Sequence, residues 1–381
     1  MSIEKEPFLR PLILDIGSST FRLGWTGEDF PDILAPSVYV EISDFIFSSD
    51  VIDGLEEIYF SNISDKYLVG HEALKYQNIL NVHFFKKENN YNVFPKFFLR
   101  YYRSLNIPEE FYFKQPLIII SPFSMTEQDK KRLQEIFFKQ LNFPSIYFLS
   151  ESRAILSTLQ KDSGVIVNIG ESNTHVSTIF HGYTNAMARE NFLISGESMT
   201  NYLLNLILLR KSIKKTIYMD ELIAKELKEK LSLCVLNPKK EKNRIKEGLT
   251  KYDRLVDLPD GIKLKINYER FQISEILFNP KLIHVDFMSL DEIIAKVVKT
   301  WEMENWGELL SNIILSGGGS LIPGLNERLR LEVHKHFSEK LKPLIKVISV
   351  SGRENMSWIG ASILSSKGEL KKGWIMNPNL Q

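Results

Sequence analysis

Three short stretches hold the residue types from which a phosphate site can be built. LILDIGSSTFR (12–22) runs from apolar residues into Asp15, then through Gly17, Ser18 and Ser19 to Arg22. GVIVNIGESNTH (164–175) repeats the pattern with Asn168, Gly170, Glu171 and Asn173 ahead of His175. LSGGGS (315–320) carries Gly317, Gly318 and Gly319 in a row. Consecutive small residues let several backbone N–H groups point at one cluster of oxyanions. A carboxylate at a strand end beside such a turn can hold Mg2+ through water, because Mg2+ keeps much of its hydration shell. Taken singly, each stretch is equally well a tight turn. Together, in order and well spaced, they describe two facing phosphate clamps with an adenosine site behind them.

The elements that must position these residues can be read from the spacing of apolar side chains. Residues 11–15 (PLILD), 117–121 (LIIIS), 164–168 (GVIVN) and 312–316 (NIILS) are short apolar runs, the pattern of strands covered on both faces. TEQDKKRLQEIFFKQL (126–141) predicts a helix whose polar first turn begins at Thr126 and Glu127, with Leu133, Ile136, Phe137 and Leu141 on one face. A second helix is predicted over 219–233. Between 255 and 273, Asp260-Gly261 is a hairpin signal between alternating segments. This mixture predicts α/β layers. LDIGSSTFR (14–22) and VNIGESNTH (167–175) echo each other, which suggests a duplicated core with one copy in each half.

With 381 residues the chain is long enough for two or more domains with real cores. A hydrophobic content of 44% and a charged content of 25% read as soluble and globular. Lys plus Arg number 48 against 47 Asp plus Glu, which leaves no electrostatic case for bulk nucleic-acid or membrane binding. Cys234 has no second cysteine to pair with, and a reducing compartment fits best. The first residues, MSIEKEPFLR, hold no apolar signal region, and runs such as 117–120 are far short of a membrane span. A cytosolic or nuclear protein is expected, with no direct nucleic-acid partner and no membrane span.

Most of the chain resembles actin and the actin-related proteins. LILDIGSSTFRLGWTGEDFPDILAPS is similar to the family's first phosphate loop, with Arg22 as its basic residue, the Gly24 and Gly27 pair, and Pro36-Ser37 after it. GVIVNIGESNTHVSTIFHGY resembles the second loop, ELKEKL (226–231) the helix that reaches base and ribose, and LPDGIKLKINYERFQISEILFNP an outer hairpin and helix. YLVGHEALKYQNILNV, LSGGGSLIPGLNERLRLEV and SWIGASILSS complete the resemblance. It implies an α/β, actin-like ATPase fold: duplicated ribonuclease-H-like domains around a nucleotide cleft. The implied domains are 1–158 plus 356–381, with an outer subdomain at about 37–84, and 159–355, with an outer subdomain at about 195–285. ATP or ADP would lie between the halves with Mg2+ (or Ca2+). Asp15 would serve the metal, and Gly17, Ser18, Ser19 and Arg22 the phosphates. Asn168, Gly170, Glu171 and Asn173 would form the second turn. Gly196, Lys228 and Glu229 would line ribose and adenine, with Gly317, Gly318, Gly319, Leu321 and Glu354 beneath and beside the nucleotide.

Several departures fall on functional positions. Glu151 stands where actin orients the attacking water with Gln; a carboxylate can also orient water or accept its proton. His175 matches the histidine near that water. Asn168 replaces a second strand-end Asp, so one carboxylate is missing from the metal's surroundings and slower chemistry is expected. Glu354 and Asn355 replace the basic and aromatic pair that flanks adenine, with Arg353 as a partial compensation. The loop between Ser37 and Gly70 is longer than actin's, and the segment after Ser366 is short, so the groove used by actin-binding proteins is expected to be incomplete. NPKKEKNRIKEG (237–248) reads as a solvated loop. FNPKLIHVDFM (278–288), which matches actin's plug loop, could bury its apolar residues at a subunit contact or within the domain.

Two functions follow from the resemblance. One is an ATP-Mg-binding subunit of a larger cytoskeletal or nuclear assembly, partnered by other actin-like subunits or a multisubunit complex, with weak or absent hydrolysis. The other is a self-polymerising filament protein with slow ATPase activity. The match to actin's outer subdomains argues against a sugar kinase of the same superfamily, and the chain leaves no residues for a chaperone's substrate domain.

Overall fold

The apolar runs become the central strands of two sheets. The computed structural model describes residues 7–41, 66–77, 80–84, 91–209, 221–259 and 261–380. They fall into two compact units, Met1–Leu159 with Ser357–Gln381, and Gln160–Met356. Of the loop between Ser37 and Gly70, expected to be long, residues 42–65 lie outside the described residues.

In the first unit, β1 (Leu12–Ile16), β2 (Thr20–Trp25) and β3 (Ile33–Pro36) run antiparallel, with Asp15 opposite Arg22. A separate small sheet holds β4 (Val38–Glu41) between β5 (Tyr67–Val69) and β6 (His83–Phe84). β7 (Leu117–Ser121) joins β1 in parallel and β8 (Ser145–Ser150) joins β7 in parallel. Side chains of the central strands alternate between two buried clusters, as a period of two requires. Leu12, Leu14, Leu117 and Ile119 pack with Phe97, Phe98, Phe137 and Phe143, whereas Ile13, Ile118 and Ile120 pack with Leu149 and Trp358.

The helix predicted over 126–141 is α-helical at Glu127–Gln134 and widens to a π-type turn at Glu135–Gln140. Thr126 caps it reciprocally with Asp129: Asp129 N donates to Thr126 Oγ1 at 3.1 Å, and Thr126 N to Asp129 Oδ2 at 2.9 Å. Ile136, Phe137 and Phe138 are all buried. Three consecutive apolar residues cannot share one face of a 3.6-residue helix, and the wider turn accommodates them. It also serves the C-terminal segment. Asn377, 1% exposed, donates to Phe138 O at 3.3 Å and Phe143 O at 2.9 Å. β16 (Ile375–Met376) thereby closes the open edge of β8, which orders the sheet β16-β8-β7-β1-β2-β3.

The second unit repeats the plan. β9 (Gly164–Ile169), β10 (Thr174–Phe180) and β11 (Tyr183–Phe192) are antiparallel neighbours, and β14 (Ile313–Ser316) and β15 (Val347–Ile348) extend β9 in parallel, in the order β11-β10-β9-β14-β15. The sequence echo between 14–22 and 167–175 is thus a repeat of topology. The predicted hairpin is β12 (Arg254–Asp257) with β13 (Lys263–Ile266); Asp260 of its turn lies outside the described residues, and the helix Glu269–Glu275 follows. The helix expected over 219–233 is described from Glu221 to Leu231.

One local expectation is corrected. Residues 237–248, read as a loop, contain the helix Pro238–Lys246. Asn237 Oδ1 accepts from Lys240 N at 3.0 Å, and Pro238 supplies the fixed φ of a first helical residue. The helix buries no residue, which is why no apolar stripe announced it. In the plug-like segment, Phe278, Leu282, Ile283, Phe287 and Met288 pack against the second unit's own core.

Candidate functional site

The turn after β1 is held from three directions. Gly17 N donates to Thr20 O at 3.1 Å, and a Cβ on Gly17 would lie 2.4 Å from that oxygen, so only glycine fits. Ser37 N donates to Ser19 O at 3.0 Å, and Ser37 Oγ to Gly17 O at 2.8 Å. These bonds fix the turn that carries Ser18 and Ser19 at the end of β1. Asp15 is 8% exposed, and its Oδ2 accepts from Ser357 Oγ at 2.9 Å and from Arg22 Nη1 at 3.4 Å. Arg22, assigned to phosphate charge in the sequence, is therefore first a counter-charge to Asp15. Ser357 had no sequence signal, because it is distant in the chain and sits in the first turn of an apolar helix.

Glu151 opens the helix Glu151–Ser157 immediately after β8. Since β1, β7 and β8 are parallel, the turn at 16–19 and Glu151 lie at the same, carboxyl edge of this sheet. That edge is where open α/β sheets bind ligands.

The second unit holds the corresponding turn. Gly170 N donates to Asn173 O at 2.9 Å, and a Cβ on Gly170 would lie 2.7 Å from the same oxygen. Asn168 on β9, His175 on β10 and Asn191 on β11 lie directly opposite one another across the ladder and so share a face. His175 is 6% exposed and its Nδ1 meets Asn191 Oδ1 at 2.8 Å, which makes Nε2 the acceptor nitrogen of the neutral ring. Asn191 was missed because nothing in β11 marks it apart from strand register.

Glu171, Gly196 and Lys228 come together. Gly196 N donates to Gly170 O at 2.9 Å, and Glu197 N to Glu171 O at 2.8 Å, docking the start of the helix Gly196–Leu208 on the turn. Lys228 Nζ donates to Gly196 O at 2.8 Å and to Glu171 Oε2 at 3.2 Å. Burial pulls the Lys228 ammonium below the ordinary lysine range, and Glu171 opposes that shift. Lys225, one turn earlier on the same helix face, reaches Glu171 Oε1 at 3.5 Å and was not singled out in the sequence. Glu229 is exposed to solvent.

The three glycines after β14 divide their roles. Gly317 has φ 82°, and a Cβ there would lie 2.4 Å from Asn168 Oδ1; one on Gly319 would lie 2.5 Å from Ile169 Cγ2. These two let the turn close onto the end of β9. A Cβ on Gly318 would meet nothing within 4 Å, and Leu321 is 43% exposed. Arg353 is tied to the turn: its Nε donates to Ser320 Oγ at 3.1 Å, its Nη2 to Ser320 O at 2.9 Å and its Nη1 to Val350 O at 3.0 Å. Arg353 thus clamps the glycine turn through the edge of its guanidinium. Beside it, Glu354 Oε2 is buried without a hydrogen-bond partner among the described residues.

Taken unit by unit, each glycine turn is shaped to receive a phosphate group, and the Asp15 carboxylate is suited to a cation. Both turns have glycine where a Cβ would fill the cradle, and Asp15 presents a carboxylate at a strand end.

Comparison with known proteins shows the family. The actin family model matches residues 8–379. A curated protein of Neurospora crassa named "Actin-like protein" is 26% identical over 370 residues, which cover 96% of this chain and 93% of that protein.

Proposed function

The chain belongs to the actin family, and from that premise we propose that it binds ATP with Mg2+ and serves as a subunit of a larger cytoskeletal or nuclear assembly, with weak or absent hydrolysis. The observation that carries the reading is the repeated turn. Gly17 N to Thr20 O at 3.1 Å and Gly170 N to Asn173 O at 2.9 Å build the same glycine cradle at equivalent strand ends of both units.

Asp15 would hold Mg2+ through the ion's water, and Ca2+ would suit the same oxygens. The cation would supply positive charge to the phosphate oxygens. Ser18 and Ser19, with the Gly170–Asn173 turn, would donate to those oxygens. Glu171, Gly196, Lys228 and Glu229 would receive the ribose, and Gly318, Leu321 and Glu354 the base side. Glu151 and the Nε2 of His175 would orient water. Asn168, a neutral amide on the strand face shared with His175, supports slow turnover, since it cannot add charge around the cation. Among the described residues no helix is long and apolar enough to cross a membrane.

The second reading is a self-polymerising filament with slow ATPase activity. Glu151, a carboxylate at the same sheet edge as the Asp15 turn, favours it. ATP binding and phosphate release, measured with Mg2+ at several protein concentrations, separate the two. Binding without release or pelleting supports the assembly subunit; release and pelleting that rise steeply with concentration support the filament. Asp15→Ala should abolish metal-dependent binding, and unchanged affinity would show that Asp15 has been misassigned. Glu151→Ala should keep binding and remove any turnover.

A further inference from the structure

We infer that Asp162, His181 and Glu308 form a binding site on the second unit for a divalent transition metal of the zinc class. They come from three separate segments: the loop ahead of β9, the turn between β10 and β11, and the helix Met303–Leu310. One ligand atom from each lies within 4.8 Å of the other two. His181 Nδ1 is 3.2 Å from Asp162 Oδ2, and His181 Nε2 is 3.8 Å from Glu308 Oε2.

The scaffold under these side chains is built by bonds that need no metal. Gly182 N donates to Asp162 O at 2.9 Å, and His181 N to Ser163 Oγ at 3.0 Å, so the hairpin tip is docked on the loop. Ser163 Oγ also approaches Asp162 Oδ1 at 3.0 Å, which orients the carboxylate as outer partners of metal ligands do. The turn itself places a histidine against local preference. His181 and Gly182 have φ 48° and 78°, the pair of left-handed residues for which Asn-Gly is the favoured sequence.

Chemistry selects the metal class. One imidazole nitrogen with two carboxylates suits Zn2+ and its neighbours, with water completing a tetrahedron. Asp162 faces Nδ1 and Glu308 faces Nε2, and the two ring nitrogens point apart, so one ion takes only one of them and the carboxylate on the far side must swing round to reach it. The three side chains are 69%, 54% and 41% exposed, so they are open to ions from solution, and an ion would replace their contacts with one another. Two carboxylates face one imidazole, so the trio stays net negative whichever protonation state the ring adopts. Cys234, the chain's single cysteine, is no rival ligand: it is buried, and burial pushes its thiol up to about 12.

The test is zinc titration of the full chain after chelator treatment, read by calorimetry and by thermal melting. One equivalent should bind and raise the melting temperature. His181→Asn retains the turn, because Asn-Gly is the better hairpin pair, and should weaken zinc binding by more than about tenfold and abolish the thermal shift. Asp162→Asn and Glu308→Gln should each weaken it in the same direction. Equal zinc affinity in His181→Asn, or no zinc binding by the parent chain, would overturn the site. ATP binding is measured beside it and should be the same in parent and variant, so failure of the nucleotide reading would be seen separately.

Discussion

At the scale of single residues, the glycines of the turns do different work. Gly317 combines a left-handed backbone with a blocked Cβ position, because an added carbon would press on Asn168 Oδ1 at 2.4 Å and Ile169 O at 2.5 Å. Gly182 also has a positive φ, but an added carbon would meet nothing within 4 Å. Gly317→Ala should therefore cost about 1–3 kcal/mol for strained backbone with the clash in addition, whereas Gly182→Ala bears the backbone term alone. Urea unfolding of both variants checks the ordering; equal losses would mean that the turn at 317 relaxes away from β9. The sequence showed that three glycines sat in a turn. It could not show which of them met β9, since that contact joins residues far apart in the chain. Asp15 makes the same point. Its place at a strand end was legible, but its hydrogen bond from Ser357 depends on a helix folded back from the far end of the chain.

At the scale of elements, the C-terminal segment is held by strand pairing with β8 and by one buried amide. Asn377 is 1% exposed, and its amide joins two carbonyls at 3.3 and 2.9 Å beside the π-type turn. Trp374 packs against Tyr147 of β8, at 5.4 Å between ring centroids. Asn377→Ala leaves both buried carbonyls short of a donor and should cost about 1–3 kcal/mol. Hydrogen exchange should show β16 and the adjoining backbone of β8 losing protection before the rest of the sheet. Protection lost uniformly would mean that the segment is not a separate unit of stability. Local elements with strong patterns, such as β7 and the capped helix at 127–134, were legible because period and cap reside in neighbouring residues. The helix at 238–246 was not, because it lies wholly on the surface and carries no apolar face.

At the scale of the whole molecule, each unit has its own buried core around its own five- or six-stranded sheet. A ligand that binds only the folded chain stabilises it by mass action. ATP with Mg2+ at about 100 times its dissociation constant should therefore add about 2.7 kcal/mol and raise the melting temperature, and excess EDTA should reverse the shift. A melt indifferent to ATP and EDTA would count against the nucleotide reading for the chain as a whole. The near balance of 48 basic and 47 acidic residues leaves the overall charge neutral enough that ionic steering of a distant partner is weak.

What the sequence by itself determined is the class of fold, its internal repeat and the positions of the glycine turns. The α/β class and the turns follow from periodicity and the steric freedom of glycine, which act between near neighbours, and the repeat follows from the likeness of 14–22 to 167–175. Only the tertiary structure decided that Arg22 and Ser357 both serve Asp15, that Arg353 clamps Ser320, and that Lys228 is buried on Glu171 and Gly196. It also brought Asp162, His181 and Glu308 together. Apart from Arg22 with Asp15, which face each other across a tight hairpin, these pairings join residues whose separation along the chain carries no signal, and their partners are chosen by which strand edges and helix faces the packed sheets bring into reach.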